Sequence, residues 1–189
     1  FLSAAQIASP PKRIGWSATL GVAPVEPEIA AICSAAANTF SDLGTKVEEA
    51  CPDFTGAHEM FLTIRGLSYV ASHGRHMTEH SDQLKPEIMW NYNYGLKLSA
   101  KDIAKAQQTR ARIHINMCEF FETFDLLVTP TVMTAPFPVE IRYLKEVAGV
   151  KFNNYVDWLM HTFVITPTGC PSLSIPCGFT NEGLPVGLQ

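Results

Sequence analysis

Three histidines fall within the stretch HGRHMTEH: His73, His76 and His80. On a helix His76 and His80 share a face, with His73 one turn earlier. Three imidazoles on one stripe could hold zinc. Glu79 is placed differently from the HExxH pattern of zinc proteases, and Gly74 weakens the helix, so a polar surface helix is the plainer reading. Asp157 and His161 stand four apart, with Ser172 and Ser174 following closely. A Ser-His-Asp set would generate a nucleophile, but it requires each pair within hydrogen-bond reach, and nearness in sequence does not supply that. No GxSxG elbow presents a serine. Cys170 and Cys177 could attack a carbonyl, yet TGCPS and IPCGF place no base or cation beside them. Both read as small buried hydrophobes. Arg110 interrupts an apolar stripe. It either snorkels to water or ties its helix to a buried carboxylate.

The elements that must position these groups follow from periodicity and punctuation. KRIGWS after Pro10 and Pro11 has strand composition. Pro27 suits a first helical turn, because its missing N–H is not needed there. Ile29, Ile32, Cys33, Ala36, Ala37, Phe40 and Leu43 then recur at helical spacing. Gly44 is a stop, and TKVEEA a second strand, which completes a β-α-β unit. Thr55 to His80 reads as one long helix or two short ones. A further helix opens at Pro86 and closes at Gly95. Ser99 and Asp102 resemble a capping box, and Ile103, Ala106, Ile113, Met117, Phe120 and Phe124 give the stripe of a helix over about Ser99–Thr123. DLLVTP is a buried strand ended by Pro130. TPTVMTAPFPVE, with three prolines, is a loop. NNYVDWLMHTFVIT is a helix with Asn153 or Asn154 near its cap. SLSIPCG and LPVGLQ are strands joined by the turn FTNEG, with Ser172 and Ser174 on one face and Leu173 and Ile175 on the other.

At 189 residues with 47% apolar and 17% charged side chains, the chain has the composition of a globular protein. A net charge of −4 gives no footprint for nucleic acid, and the apolar runs are too short for a bilayer. Phe1 stands where an initiator Met is absent, which suggests a cut or processed amino terminus. The five cysteines form no CxxC, and with no signal peptide in view the chain reads as cytoplasmic with free thiols.

GCPSLSIPCGFTNEGLPVGLQ closely resembles the amidase signature family, whose hallmark runs G-x-P-(A/S)-(I/L)-S-(V/I)-P-x-G and then G-L-P-(V/I)-G-(L/I)-Q. FDLLVTPTVMTAPFPV, YGLKLSAKDIAKAQQTRARI and the segment from KRIGWS to TKVEEA are similar to further family segments, in family order. The resemblance implies an α/β fold: the family's mixed β-sheet core covered by helices, incomplete in this chain. Residues 1–189 would then be a single incomplete domain, the second half of a larger enzyme cut at both ends. It further implies that Leu173 and Ile175 pack within a β-layer.

Family members split amides with a serine nucleophile, a second serine and a lysine. The Gly/Ser-rich nucleophile segment and that lysine have no match here, so no catalytic residue carries over. The resemblance implies a pocket wall from Thr131, Val132 and Met133 after the TPT strand, and from Asp157, Trp158, Leu159, Thr162 and Phe163 on the helix Tyr155 to Thr166. An apolar wall of this kind favours an aryl or alkyl acyl group. Amidotransferase members carry an aspartate on that helix to read glutamine. It aligns nearest Leu159, with Asp157 two residues off. No metal or organic cofactor is implied. The expected partners are a small-molecule amide and the remainder of the same polypeptide, and a homodimer is compatible. The alternative readings are a non-catalytic binding or scaffold module, a histidine-based metalloenzyme, and the amide-splitting subunit of a glutamine-dependent amidotransferase.

Overall fold

The structure, a computed structural model, describes residues 2–6 and 9–189. Phe1 lies outside them. After a short helix α1 (Leu2–Gln6), strand β1 (Arg13–Trp16) leads into helix α2 (Pro27–Asn38), which begins on Pro27 as the missing N–H allows. A 3-10 turn follows. Gly44 closes it at φ 81°, a left-handed value that glycine adopts without steric cost. Strand β2 (Lys46–Glu49) then pairs parallel with β1. Strand β3 (Leu126–Val128) pairs parallel on the other side of β1, giving the order β2-β1-β3.

Alternate residues of β1 serve opposite faces. Ile14 joins a core with Ile29 and Cys33 of α2, and with Val128, Val186 and Leu188. Gly15 faces the other way. A Cβ there would lie 2.5 Å from Phe120 Cζ and 2.9 Å from the Ala50 carbonyl oxygen, so only glycine lets the helix bearing Phe120 sit on the strand. That second core gathers Phe54, Met60, Ile113, Met117, Phe120 and Val164.

Helix α3 (Ala57–Glu79) is one unbroken helix. Helix α4 (Pro86–Gly95) crosses it where Gly66 and Gly95 meet, and a Cβ on Gly66 would lie 3.1 Å from Gly95 Cα. Helix α5 (Ala100–Phe121) starts with the full capping box: Ser99 Oγ accepts from Asp102 N at 3.2 Å, and Asp102 Oδ2 accepts from Ser99 N at 2.9 Å. Arg110 points to solvent. Thr109, half-buried, fills the inward position between Ala106 and Ile113. Arg110 therefore lies off the apolar stripe, and neither a snorkelling stem nor a buried carboxylate partner accounts for it.

The carboxyl-terminal ribbon is a hairpin of β6 (Ile175–Phe179) and β7 (Pro185–Leu188). It joins the sheet through the residues just past β3. Thr129 and Gln189 exchange backbone hydrogen bonds of 2.9 and 2.8 Å, and Thr131 N donates to the Gly187 carbonyl at 2.9 Å. The antiparallel hairpin thus extends the parallel strands into a mixed layer.

Two features differ from expectation. Leu173 is 68% exposed and Ile175 43% exposed, not packed within a β-layer. Residues 171–174 run ahead of β6 unpaired, and both side chains line an open groove described below. The helix expected from Tyr155 to Thr166 is broken into a 3-10 turn (Asp157–Leu159), a single α-turn α6 (Met160–Phe163) and another 3-10 turn (Thr166–Thr168). Pro167, lacking an N–H, cannot continue α6. Past the 129–140 loop the chain forms a small hairpin, β4 (Glu146–Val147) with β5 (Val150–Lys151), turning on Ala148 and Gly149 at φ 47° and 79°.

Candidate functional site

The chain order places the TPT segment and the 157–163 segment side by side, and one buried histidine joins them. His161 is 0% exposed. Its Nε2 lies 2.7 Å from the Pro130 carbonyl oxygen and 3.0 Å from Thr129 Oγ1. A carbonyl only accepts, so Nε2 carries the hydrogen, and buried Nδ1 is left as a bare lone pair without a partner among the described residues. Burial pulls the imidazole down to about 4, against a weaker opposing effect of the Pro130 carbonyl. His161 is therefore a neutral strut that braces the Thr129–Pro130 segment.

Asp157 is also committed. Its carboxylate accepts from His58 Nε2 at 2.8 Å, from Asn153 N at 2.8 Å, and from Asn154 N and Nδ2 at 3.3 and 2.9 Å. The Asp157, His161 and serine constellation is not assembled, because each member points to a different partner. Ser174 Oγ instead meets Thr131 Oγ1 at 2.6 Å, and Ser172 is exposed.

The other expected wall residues separate by depth. Met133 is buried in the α2 core, and its carbonyl accepts from Glu26 N at 2.8 Å. Val132 and Thr162 are exposed. Phe163 stacks on Phe61 with ring centres 3.9 Å apart, beside His58. Leu159 is half-buried. Trp158 packs edge-on against Phe137 and Tyr155, and its indole N–H is buried with no acceptor among the described residues. The 157–163 segment is thus an aromatic shelf held from below by His58. Sequence reasoning missed His58, because its role depends on a partner 99 residues away.

The remaining candidates have local roles. His73 Nδ1 meets Ser72 Oγ at 2.7 Å and its ring stacks on Tyr69, while His80 ends α3. Among the described residues no group of His, Cys, Asp and Glu is arranged to hold a metal ion. Cys170 packs on the α5 core. Cys177 lies against Cys33. No helix of the described residues is long and apolar enough to cross a membrane.

Between β3, the end of α5 and residues 170–175 lies a mostly apolar groove of about 430 Å³ lined by Phe40, Phe121, Leu126, Ile165, Leu173 and Ile175, among others. A second, polar groove lies between α3 and α5 around Glu59, Lys105 and Arg112.

Comparison with known proteins gives these features a setting. The acylamidase of Rhodococcus erythropolis is 29% identical over 183 residues, which are 94% of this chain and 38% of that protein. A glutamyl-tRNA(Gln) amidotransferase polypeptide of Moorella thermoacetica is 33% identical over 189 residues, 87% of this chain and 37% of that one. Among solved structures, a bacterial aryl acylamidase of the amidase signature family superposes with a TM-score of 0.83 at 26% identity, covering 94% of this chain and 39% of its own. Fatty acid amide hydrolase shares the fold, with a TM-score of 0.69 at 16% identity. The chain spans less than half the length of each of these relatives. The Amidase family model matches it from residue 1 to residue 189, and the chain belongs to the amidase signature family.

Proposed function

We propose that this chain supplies the carboxyl-side sheet and acyl-pocket wall of an enzyme that hydrolyses amides with an aryl or alkyl acyl group. The observation that carries this reading is the state of Asp157. It is the one carboxylate on the 157–163 segment, and all its partners are internal: His58, Asn153 and Asn154. A carboxylate so engaged has no free lone pair directed at the ammonium of a glutamine. Around it the shelf offers Trp158, Leu159 and Phe163, surfaces that favour an apolar acyl group. The likeness to an acylamidase and to an aryl acylamidase supports the same direction.

The chemistry proposed is acyl transfer. A serine attacks the amide carbon, backbone N–H groups stabilise the oxyanion, amine or ammonia leaves, and water releases the acid. The serine and its proton carrier come from parts of the polypeptide other than residues 1–189. The apolar groove at Leu126, Leu173 and Ile175 is the face those parts cover, in keeping with the chain's 38% share of the acylamidase. Residues 1–189 alone do not turn over amides. The five free cysteines fit a reducing, cytoplasmic setting.

The experiment is a comparison of kcat/KM on an aryl acylamide and on glutamine, using the full-length enzyme. The aryl amide should be favoured by roughly 100-fold or more, the order of discrimination a built pocket gives. A preference for glutamine would overturn the reading. So would steady hydrolysis by residues 1–189 that is lost on replacing a serine within them.

A further inference from the structure

We propose that Cys33 and Cys177 are a redox-closing thiol pair, which a small-molecule disulfide of the glutathione class converts into an intrachain disulfide joining α2 to β6. Their Sγ atoms lie 3.8 Å apart although 144 residues separate them in sequence.

Three features of the fold produce that meeting. Cys33 stands between Ile29 and Ala37 on the stripe of α2 that faces the sheet, and it is 0% exposed. Cys177 sits at a break in the hairpin register. Pro176 pairs with Gly187 and Gly178 with Val186, so Cys177 has no opposite residue. A bulged residue leaves strict strand alternation and can be aimed elsewhere. Ile175 and Phe179, two positions to either side, are exposed, whereas Cys177 turns toward α2. Gly178 completes the arrangement. A Cβ there would lie 2.8 Å from Ile32 Cγ2, so its absence lets α2 seat directly on β6.

Two sulfurs in van der Waals contact need to approach by only about 2 Å to reach a bond of about 2.05 Å, a movement that two side-chain rotations can share. The other thiols lack this geometry. Cys51 and Cys118 are exposed, and Cys118 faces His114. Cys170 lies near the Thr168 carbonyl.

The order of events follows from exposure. Burial, and then the neighbouring Cys177, push the Cys33 thiol up to about 12, so it stays protonated while Cys177 meets the oxidant. The Cys177 thiolate attacks one sulfur of oxidised glutathione. That S–S bond breaks, and the first glutathione leaves as a thiolate and takes up a proton. Cys33 gives up its proton as it attacks the Cys177 sulfur and displaces the second glutathione. In sum, two protein thiols lose two hydrogens and one glutathione disulfide becomes two glutathione thiols.

The test uses the full-length protein treated with oxidised glutathione. Remaining thiols are alkylated under denaturing conditions, and the digest is mapped by mass spectrometry without reduction. The wild type should yield the Cys33 peptide linked to the Cys177 peptide, with Cys51 and Cys118 glutathionylated or alkylated. Cys33→Ser should halt at a stable glutathione adduct on Cys177. Cys177→Ser should leave Cys33 free. In the wild type, a lasting glutathione adduct on Cys177 beside an alkylated Cys33 would overturn the proposal, as would full alkylation of both at every oxidant concentration. Because the wild type gives the deciding result, a variant that fails to fold leaves the test intact.

Discussion

Asp157 is held by His58, a residue 99 positions earlier, through an Nε2–Oδ1 contact of 2.8 Å. This bond fastens the aromatic shelf to α3, since the same carboxylate also receives Asn153 N and Asn154 N. Asp157→Ala would leave these donors, partly buried at His58 and Asn154 and exposed at Asn153, without their acceptor. The expected loss is about 3 kcal/mol of unfolding free energy, with a smaller loss of about 1–2 kcal/mol for Asp157→Asn, which keeps one oxygen. Urea unfolding of the two variants measures this. Equal and negligible effects would show that the carboxylate is not holding the segment.

His161 makes stability depend on acid. Its folded value of about 4 lies below the ordinary 6.5, so the folded protein binds fewer protons than the unfolded chain between those values. Stability from this group is complete above pH 6.5 and is lost as pH falls toward 4. The distance from 6.5 down to about 4 corresponds to about 3 kcal/mol. Unfolding of wild type and His161→Asn, compared at pH 7 and pH 4, should show the wild type losing about 3 kcal/mol more than the variant. Parallel losses would mean that His161 is not the buried neutral strut described.

Two glycines in the helical hairpin should respond to alanine in opposite directions. A methyl on Gly95 would overlap the Gly66 carbonyl and lie 2.7 Å from Val70 Cγ2. Gly95→Ala should therefore cost about 2 kcal/mol by forcing α4 away from α3. Gly74 lies within the same α3, but a Cβ there would meet only Tyr92 Oη at 3.9 Å. Gly74→Ala should stabilise by up to about 1 kcal/mol through helix propensity alone. Thermal unfolding separates the two, and a gain from both would place the helix crossing elsewhere.

These residues also mark what could be read without coordinates. The capping box of Ser99 and Asp102, the β-α-β unit from β1 to β2 and the hairpin around Gly183 are local. Their cause lies within a few neighbouring residues, so residue type and spacing expose them. By propensity alone Gly66 is a weak point in a helix, because propensity is also local, whereas its actual role is a contact with a glycine 29 positions away. Arg110 and Thr109 differ by one step of about 100° around α5, finer than an apolar stripe resolves. The pairings of Asp157 with His58 and of His161 with the Pro130 carbonyl depend on how α3, β3 and the 157–163 segment meet. Spacing along the chain carries no trace of that. The family resemblance puts Leu173 and Ile175 within a β-layer, and a resemblance carried by a string of residues does not say which surface provides the cover.

The central claim is the proposal made above: the chain is part of an amide hydrolase whose reactive serine lies outside residues 1–189. Labelling the full-length enzyme with a serine-directed fluorophosphonate, followed by peptide mapping, tests it most directly. The account predicts one labelled serine, outside this chain, with loss of amide hydrolysis in step with labelling. Stoichiometric label on Ser172, Ser174 or any other serine of residues 1–189 would contradict it.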